Sequence, residues 1–361
     1  MQAAVCYEYG KPLVVEEVDL GAPEADEVRV RLVACAICHS DIHAVRGDWG
    51  GDLPVVVGHE AAGVVESVGA AVNRVKTGDP VVVSLLRSCG ACIACSTGSP
   101  HMCDYPYRLY TDSPLRNKQG QPLRHGIRTA AFAEATVVHQ SQLVVTPPDL
   151  PLDRAALLAC GVITGLGAVV NTAKVRAGQS VAVIGVGGVG INAVQGAHLS
   201  GAFPIIALDL LEEKLARAEE FGATHALHAG GSDVVEQVKA LTRGRGVDYA
   251  FVTVGSPQAM AQALQLVGPQ GTVVQVGIPP ADAVLPLHLR DIPGTERRIM
   301  GSFMGSTRLN VDVPKLIDLY QAGRLKLDEL ITARYPLSQI NEAIAATEAG
   351  RGYRHVIMYD A

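Results

Sequence analysis

Two kinds of hydrophobic patterning divide the chain. Up to about residue 150, short runs such as EVRVRLVAC (27–35) and AAGVVESVG (61–69) alternate apolar with polar positions and are separated by Gly, Pro and Asp. That period of two predicts a β-rich domain. From about 162 to 303 the pattern changes to strands alternating with helices. SVAVIGVGGVGINAVQGAHLSG starts as an apolar strand, Val181–Ile184, turns at glycines and continues as a helix; a second strand, Ile205–Leu208, ends at Asp209. VDYAFVTVGS then reads as strand and turn, PQAMAQALQLV as helix and GTVVQVGIPP as strand. This alternation predicts a doubly wound parallel sheet. Beyond it, VDVPKLIDLYQAGRL and LSQINEAIAATEAG read as helices and RHVIMY as a last strand, with no internal repeat and no low-complexity segment.

Length supports two domains, because single cores rarely grow beyond about 250–300 residues and this chain has 361. With 48% hydrophobic and 18% charged residues of both signs interspersed, disorder is excluded as a global description. A formal net charge of −6 argues against a nucleic-acid partner. The N-terminus lacks a basic region followed by an apolar one, and no stretch approaches the length of a membrane span, so a soluble, cytoplasmic protein without a membrane partner is expected.

In that compartment clustered cysteines serve metals or catalysis more often than disulfides. CGACIACSTGSPHMC holds Cys89, Cys92, Cys95 and Cys103 within one loop. Four thiolates at that spacing can surround one Zn²⁺ tetrahedrally and leave no position open for substrate, so the site is structural. Free thiols or an iron–sulfur cluster are the competing readings of the loop alone. AICHSDIH supplies Cys38 and His59 follows in VVGHEAAG, while Cys160 lies far downstream in LLACGVITGLGA. Together Cys38, His59 and Cys160 make a Cys₂His set, which leaves the fourth zinc position open, the form of a catalytic site. Taken singly, each has a plainer reading as a buried small residue or a turn; Cys6 and Cys35 keep that plainer reading.

Gly185, Gly187 and Gly190, placed between a strand and a helix with Asp209 at the end of the next strand, complete a dinucleotide-binding fingerprint. The glycines let the backbone approach a pyrophosphate at a helix N-terminus. Asp209 suits the adenosine ribose hydroxyls and would repel a 2′-phosphate, which favours NAD over NADP. Lys214, one turn into the following helix, can reach the same ribose or remain a solvated lysine.

With these motifs in this order, the whole chain resembles the zinc-dependent medium-chain alcohol dehydrogenases. The resemblance rests on Cys38, Gly58-His59-Glu60, the four-cysteine loop, Cys160 with Thr164, the glycine run with Asp209, and the C-terminal LITARYPLSQINEAIAATEAG. It implies an α/β architecture: a GroES-like β-rich catalytic domain formed by 1–161 and 304–361, with a Rossmann NAD-binding domain, 162–303, inserted. It implies two Zn²⁺ per chain, one catalytic on Cys38, His59 and Cys160 and one structural on Cys89, Cys92, Cys95 and Cys103. Asp41 would orient His59, Glu60 would approach the metal, and Ser40 would pass the alcohol proton through the nicotinamide ribose to His43. Gly185, Gly187, Gly188, Val189, Gly190, Asp209, Lys214 and Thr164 would line the cofactor, with His39 and Arg354 on its pyrophosphate. The implied reaction is reversible hydride transfer from a primary or secondary alcohol to NAD.

For the substrate pocket the resemblance points to Trp49 and Leu85. A leucine at a position where several relatives carry an aromatic ring widens the site toward bulky, aromatic or long-chain alcohols. A thiol-dependent formaldehyde dehydrogenase of the S-hydroxymethylglutathione type is the alternative within the family, although Trp49 stands where that branch has an acid. An inactive zinc- and NAD-binding structural protein, or a zinc-ribbon nucleic-acid module suggested by the cysteine loop alone, are the readings outside it. The turn-rich segment 104–128 borders either the substrate channel or a subunit contact, and a homo-oligomer, dimer or tetramer, is expected.

Overall fold

The computed structural model describes residues 1–288 and 290–360, which form two compact units. One unit comprises Met1–Gly161 and Arg308–Ala361, the other Val162–Thr307.

The first unit is built on a largely antiparallel sheet in the order Leu143–Val145, Pro80–Val83, Glu60–Val68, Glu27–Ala36, Arg354–Met358 and Ile331–Pro336, with Ala135–His139 also paired to Glu27–Ala36. The two C-terminal strands run parallel to each other, and Arg354–Met358 is antiparallel to Glu27–Ala36. Chain that is remote in sequence therefore closes the same sheet as the N-terminal strands. Gln2–Val5, Val14–Leu20 and Leu115–Asn117 form a small second sheet. The core includes Leu32, Ile37, Leu115, Leu123 and Phe132, all essentially without solvent exposure.

The second unit is a six-stranded parallel sheet in the order His225–His228, Ile205–Asp209, Val181–Ile184, Val247–Val252, Val267–Gln275 and Arg298–Gly301. In chain order this is 3-2-1-4-5-6, so the direction of winding reverses beside Val181–Ile184. Ligands bind at such a reversal, outside the carboxyl ends of the strands. Every residue of Val181–Ile184 and Ile205–Asp209 is buried, which is why these strands read as continuous apolar runs.

The sequence pattern places the fifth strand at 271–280, whereas it spans Val267–Gln275 and begins directly where the helix Pro257–Leu266 ends. It does not reveal the strands His225–His228 and Arg298–Gly301, which are the two edges of the sheet. Both are only partly buried, so neither needs an apolar run.

A buried charge ties the late strands of the first unit to its middle. Asp153, on the helix Leu152–Leu157, accepts from Arg154 and takes both Nε (2.9 Å) and Nη2 (2.7 Å) of Arg334, which lies on Ile331–Pro336. Burial alone would raise the Asp153 carboxyl; the two guanidinium groups outweigh it and hold it below the usual carboxylate range. A depressed carboxylate stabilises the fold above its unfolded value, about 3.9, and that contribution is lost as pH falls through the folded value. Asp153→Asn is expected to destabilise the protein by about 1–3 kcal/mol at pH 7. In urea unfolding the gap from wild type should close below about pH 4, and an unchanged midpoint at pH 7 would refute the role given to this pair.

Candidate metal centre and cofactor cradle

Cys38 occupies the N-cap of the helix His39–Arg46, and its N–H donates to the Asp41 carboxylate at 3.0 Å. Asp41, without solvent exposure, thus sits at the third position of that helix and also reaches across to the chain at 58–59. The Gly58 N–H donates to Asp41 Oδ1 at 2.9 Å, and His59 Nδ1 lies 2.9 Å from the same oxygen. A carboxylate can only accept, so Nδ1 carries the proton and Nε2 presents its lone pair. Burial would lower the His59 pKa, but Asp41 and then Cys38 raise it well above the ordinary value, so a metal ion at Nε2 would take the place of a proton there.

His59 Nε2 is buried without a hydrogen-bond partner. It belongs to a cluster in which one ligand atom each from Cys38, His59, Glu60 and Cys160 lie within 4.8 Å of one another, all four residues buried. The Cys38 thiol is held well below its ordinary pKa by the Cys160 thiol, His59 and Arg354. An orphaned imidazole nitrogen facing two thiols inside the protein is the donor set of an open zinc site, and the residues fit the ion. Glu60 is pushed up to about 8 by burial, partly offset by Arg354. The Arg354 Nε is 3.2 Å from Glu60 Oε2, an ion-pair contact without a hydrogen bond between them. Arg354 is packed so tightly here that a Cβ at Gly161 would overlap its guanidinium.

The cysteine loop forms a second cluster. Cys89 and Cys95 sulfurs are 4.0 Å apart and those of Cys92 and Cys103 3.9 Å, and all four lie within 4.8 Å. These separations are far too long for disulfides, whereas a tetrahedral ion with bonds of about 2.3 Å places sulfurs about 3.8 Å apart. The N–H groups of Ala91 and Cys92 point at the Cys89 sulfur and lower its pKa to about 6. The four residues fit a closed tetrathiolate site.

His43, on the same helix as Cys38, is half-buried, with Nδ1 2.6 Å from Asp48 Oδ2 and its ring 5.3 Å from that of Trp49. Asp48 is a partner that the sequence motifs do not indicate. Gly47 caps the helix in the left-handed conformation (φ 83°) and turns the chain back so that Asp48 meets His43. Ser40 is one turn before His43 on this helix, while Leu85 is buried and Trp49 is exposed at its edge. His39, the first helical residue, is exposed.

In the parallel-sheet unit, Gly185 (φ 85°) follows Val181–Ile184, and a Cβ at Gly190 would overlap the Gly185 carbonyl. Thr253, also unmarked by the sequence motifs, donates its hydroxyl to Gly185, and Asn192 donates to the Gly188 carbonyl at 2.8 Å. Asp209 Oδ2 accepts the Val186 N–H at 2.8 Å and Oδ1 that of Leu211 at 3.0 Å. Each oxygen retains a lone pair for a further donor. A Cβ built on Gly187 would meet only Lys214 Nζ, at 3.6 Å, so the lysine stands over an otherwise open Gly187. Val189 is the N-cap of the helix Gly190–Leu199, and the Thr164 hydroxyl points at the Met304 sulfur, 3.5 Å away.

A family model for the alcohol dehydrogenase GroES-like domain matches residues 24–149, and one for zinc-binding dehydrogenases matches 188–322. The chain belongs to the zinc-dependent medium-chain alcohol dehydrogenases. Among this family, an alcohol dehydrogenase of Malus domestica is 38% identical over 367 residues, spanning 99% of this chain and 96% of its own. The crystal structure of an alcohol dehydrogenase zinc-binding domain protein from Burkholderia ambifaria is 35% identical with a TM-score of 0.95, covering 100% of this chain and 99% of that one. Benzyl alcohol dehydrogenase from Acinetobacter calcoaceticus is 30% identical with a TM-score of 0.92, covering 99% of both chains. Among the described residues of this family member, no helix is long and apolar enough to cross a membrane.

Because Asp41 accepts from two buried N–H groups and an imidazole, Asp41→Ala is expected to cost about 3 kcal/mol by orphaning them. Urea unfolding of the chelator-treated protein checks this, and a loss below about 0.5 kcal/mol would be that of an ordinary surface change.

Proposed function

We propose that the protein is an NAD-dependent zinc alcohol dehydrogenase that reversibly oxidises bulky, aromatic or long-chain primary or secondary alcohols. The observation that carries this reading is the buried His59 Nε2, orphaned between Cys38 and Cys160. A zinc ion held by Cys38, His59 and Cys160 supplies Lewis acidity that lowers the pKa of an alcohol hydroxyl toward neutrality, and NAD supplies the hydride acceptor. The remaining work falls to the chain. Asp41 keeps His59 in the tautomer that offers Nε2. Ser40 and His43 share one helix face three residues apart, so the serine hydroxyl would accept the alcohol proton and the imidazole would take it on toward solvent. Asp48 at Nδ1 orients that ring and leaves Nε2 as the atom that takes the proton. The half-buried His43 then returns it to solvent. Net loss of one proton and one hydride converts the carbinol to a carbonyl.

Gly187, Gly188 and Gly190 offer backbone N–H groups to the cofactor phosphates, Gly185, whose own N–H goes to the Leu208 carbonyl at 2.7 Å, makes the turn that presents them, and His39 and Arg354 add positive charge. Asp209 accepts from the adenosine ribose. Thr164 and Val189 bound the nicotinamide. Leu85 and Trp49 support a pocket wide enough for a ring, as does the similarity to a benzyl alcohol dehydrogenase. The second ion, on Cys89, Cys92, Cys95 and Cys103, braces a loop with little apolar content of its own.

Two experiments test the assignment. Cys38→Ser should remove one of two zinc ions per chain and abolish alcohol-dependent NAD reduction while the fold persists; full activity in that variant refutes the site. Asp209→Gly should raise kcat/KM with NADP at least about tenfold relative to NAD by removing the carboxylate repulsion. A panel of short, long-chain and benzylic alcohols, with formaldehyde plus glutathione, reads the pocket, and activity confined to the thiol adduct overturns the substrate assignment.

A further inference from the structure

The turn 127–130, at the end of the 104–128 segment, has an uncommon backbone. Ile127, Arg128 and Ala130 all have positive φ, at 45°, 63° and 48°. For a β-branched residue this region is an outlier, and such backbone persists only where its surroundings over-determine it. Here the surroundings are the corner that carries His59. The Thr129 hydroxyl, fully buried, donates to the Gly58 carbonyl at 2.6 Å, with the Ile127 carbonyl farther away at 3.0 Å. The Ala131 N–H reaches the same Gly58 carbonyl at 3.0 Å, and the Phe132 N–H reaches that of Val57 at 2.8 Å. The turn is itself held from behind. Thr136 donates to the Thr129 carbonyl, and Gln142 Nε2 donates to that of Arg128 at 2.9 Å. Arg128 Nε meets the Tyr110 hydroxyl at 2.6 Å, which ties the turn to the 104–128 segment. Gly58 has φ 96°, and a Cβ there would lie 2.5 Å from the Phe132 nitrogen, so the two backbones are in direct contact.

The peptide group that joins Gly58 to His59 therefore has its carbonyl fixed from one side by Thr129 and Ala131. From the other side Asp41 holds the Gly58 N–H and the imidazole. We propose that Thr129, held in place by the left-handed turn 127–130, is a positioning residue for His59 that sets the approach of Nε2 to Cys38 and Cys160. The proposal rests on the reading that these three residues hold the catalytic ion. It explains why a turn with three left-handed non-glycine residues is built against this corner.

The test compares Thr129→Val, which keeps the shape and removes the donor, with Thr129→Ser, which keeps the donor. The Gly58 carbonyl still receives Ala131 in the valine variant, so no buried acceptor is orphaned; Thr129→Ala serves the same comparison should the valine protein not fold. Zinc release to a chelator, the ligand-field spectrum of the cobalt-substituted catalytic site, and kcat and KM separately are the readouts. Loss of the catalytic ion should be about tenfold faster than wild type in Thr129→Val, with a shifted cobalt spectrum and kcat reduced more than KM, while Thr129→Ser restores all three. A Thr129→Val protein with wild-type release rate and spectrum, even one that melts earlier, overturns the proposal and leaves the turn a structural feature only. Cys38→Ser run alongside separates the two failures: unchanged metal content there overturns the metal-site reading and this proposal together, whereas metal loss there with an unaffected Thr129→Val overturns the role of Thr129 alone.

Discussion

The buried carboxylate of Asp41 is the constraint on which the metal centre depends. It caps the helix that starts after Cys38, accepts the Gly58 N–H and fixes the His59 tautomer, so two backbone N–H groups and one imidazole from two stretches of chain converge on one side chain. A carboxylate without solvent exposure is costly unless its lone pairs are used, and here they are. Two residues twenty-one positions apart in sequence, Cys38 and His59, are brought within 4.8 Å of each other at their ligand atoms beside this single group. Cys160 joins them from the end of the same unit's N-terminal segment, and Arg354, from the C-terminal strand, neutralises part of the charge beside Glu60.

The two cysteine-bearing sites differ in the way their chemistry requires. The loop of Cys89, Cys92, Cys95 and Cys103 has all four positions taken by sulfur and only partial burial, a closed arrangement suited to bracing the loop. The Cys38, His59 and Cys160 set is fully buried, lies next to a titratable carboxyl, and offers three donors of the kind an open zinc site uses. The proposed structural and catalytic roles rest on this difference between the two environments.

Much of this was legible in the sequence because metal and dinucleotide chemistry impose spacing. The four cysteines announce themselves within one loop, and the glycine run between a strand and a helix can be recognised without coordinates. Asp48 and Thr129 could not be found that way. Asp48 faces His43 only because Gly47 reverses the chain at the helix end, and Thr129 reaches Gly58 from seventy-one residues away across the fold. Neither contact has a local pattern to betray it. The same holds for the edge strands His225–His228 and Arg298–Gly301, whose partial exposure removes the apolar run that a buried strand must have, and for the Asp153–Arg334 pair, which joins segments 181 positions apart.

The central claim is that one ion sits on Cys38, His59 and Cys160 with a position left open while another is enclosed by four thiolates. Zinc-edge X-ray absorption on the purified protein measures this directly. The account predicts an average shell of about three sulfurs and about one nitrogen or oxygen per zinc, the light neighbour being the imidazole and the open-site ligand averaged over two ions that share six cysteines. Four sulfurs per zinc, or a single ion per chain bound only by the loop, would contradict it.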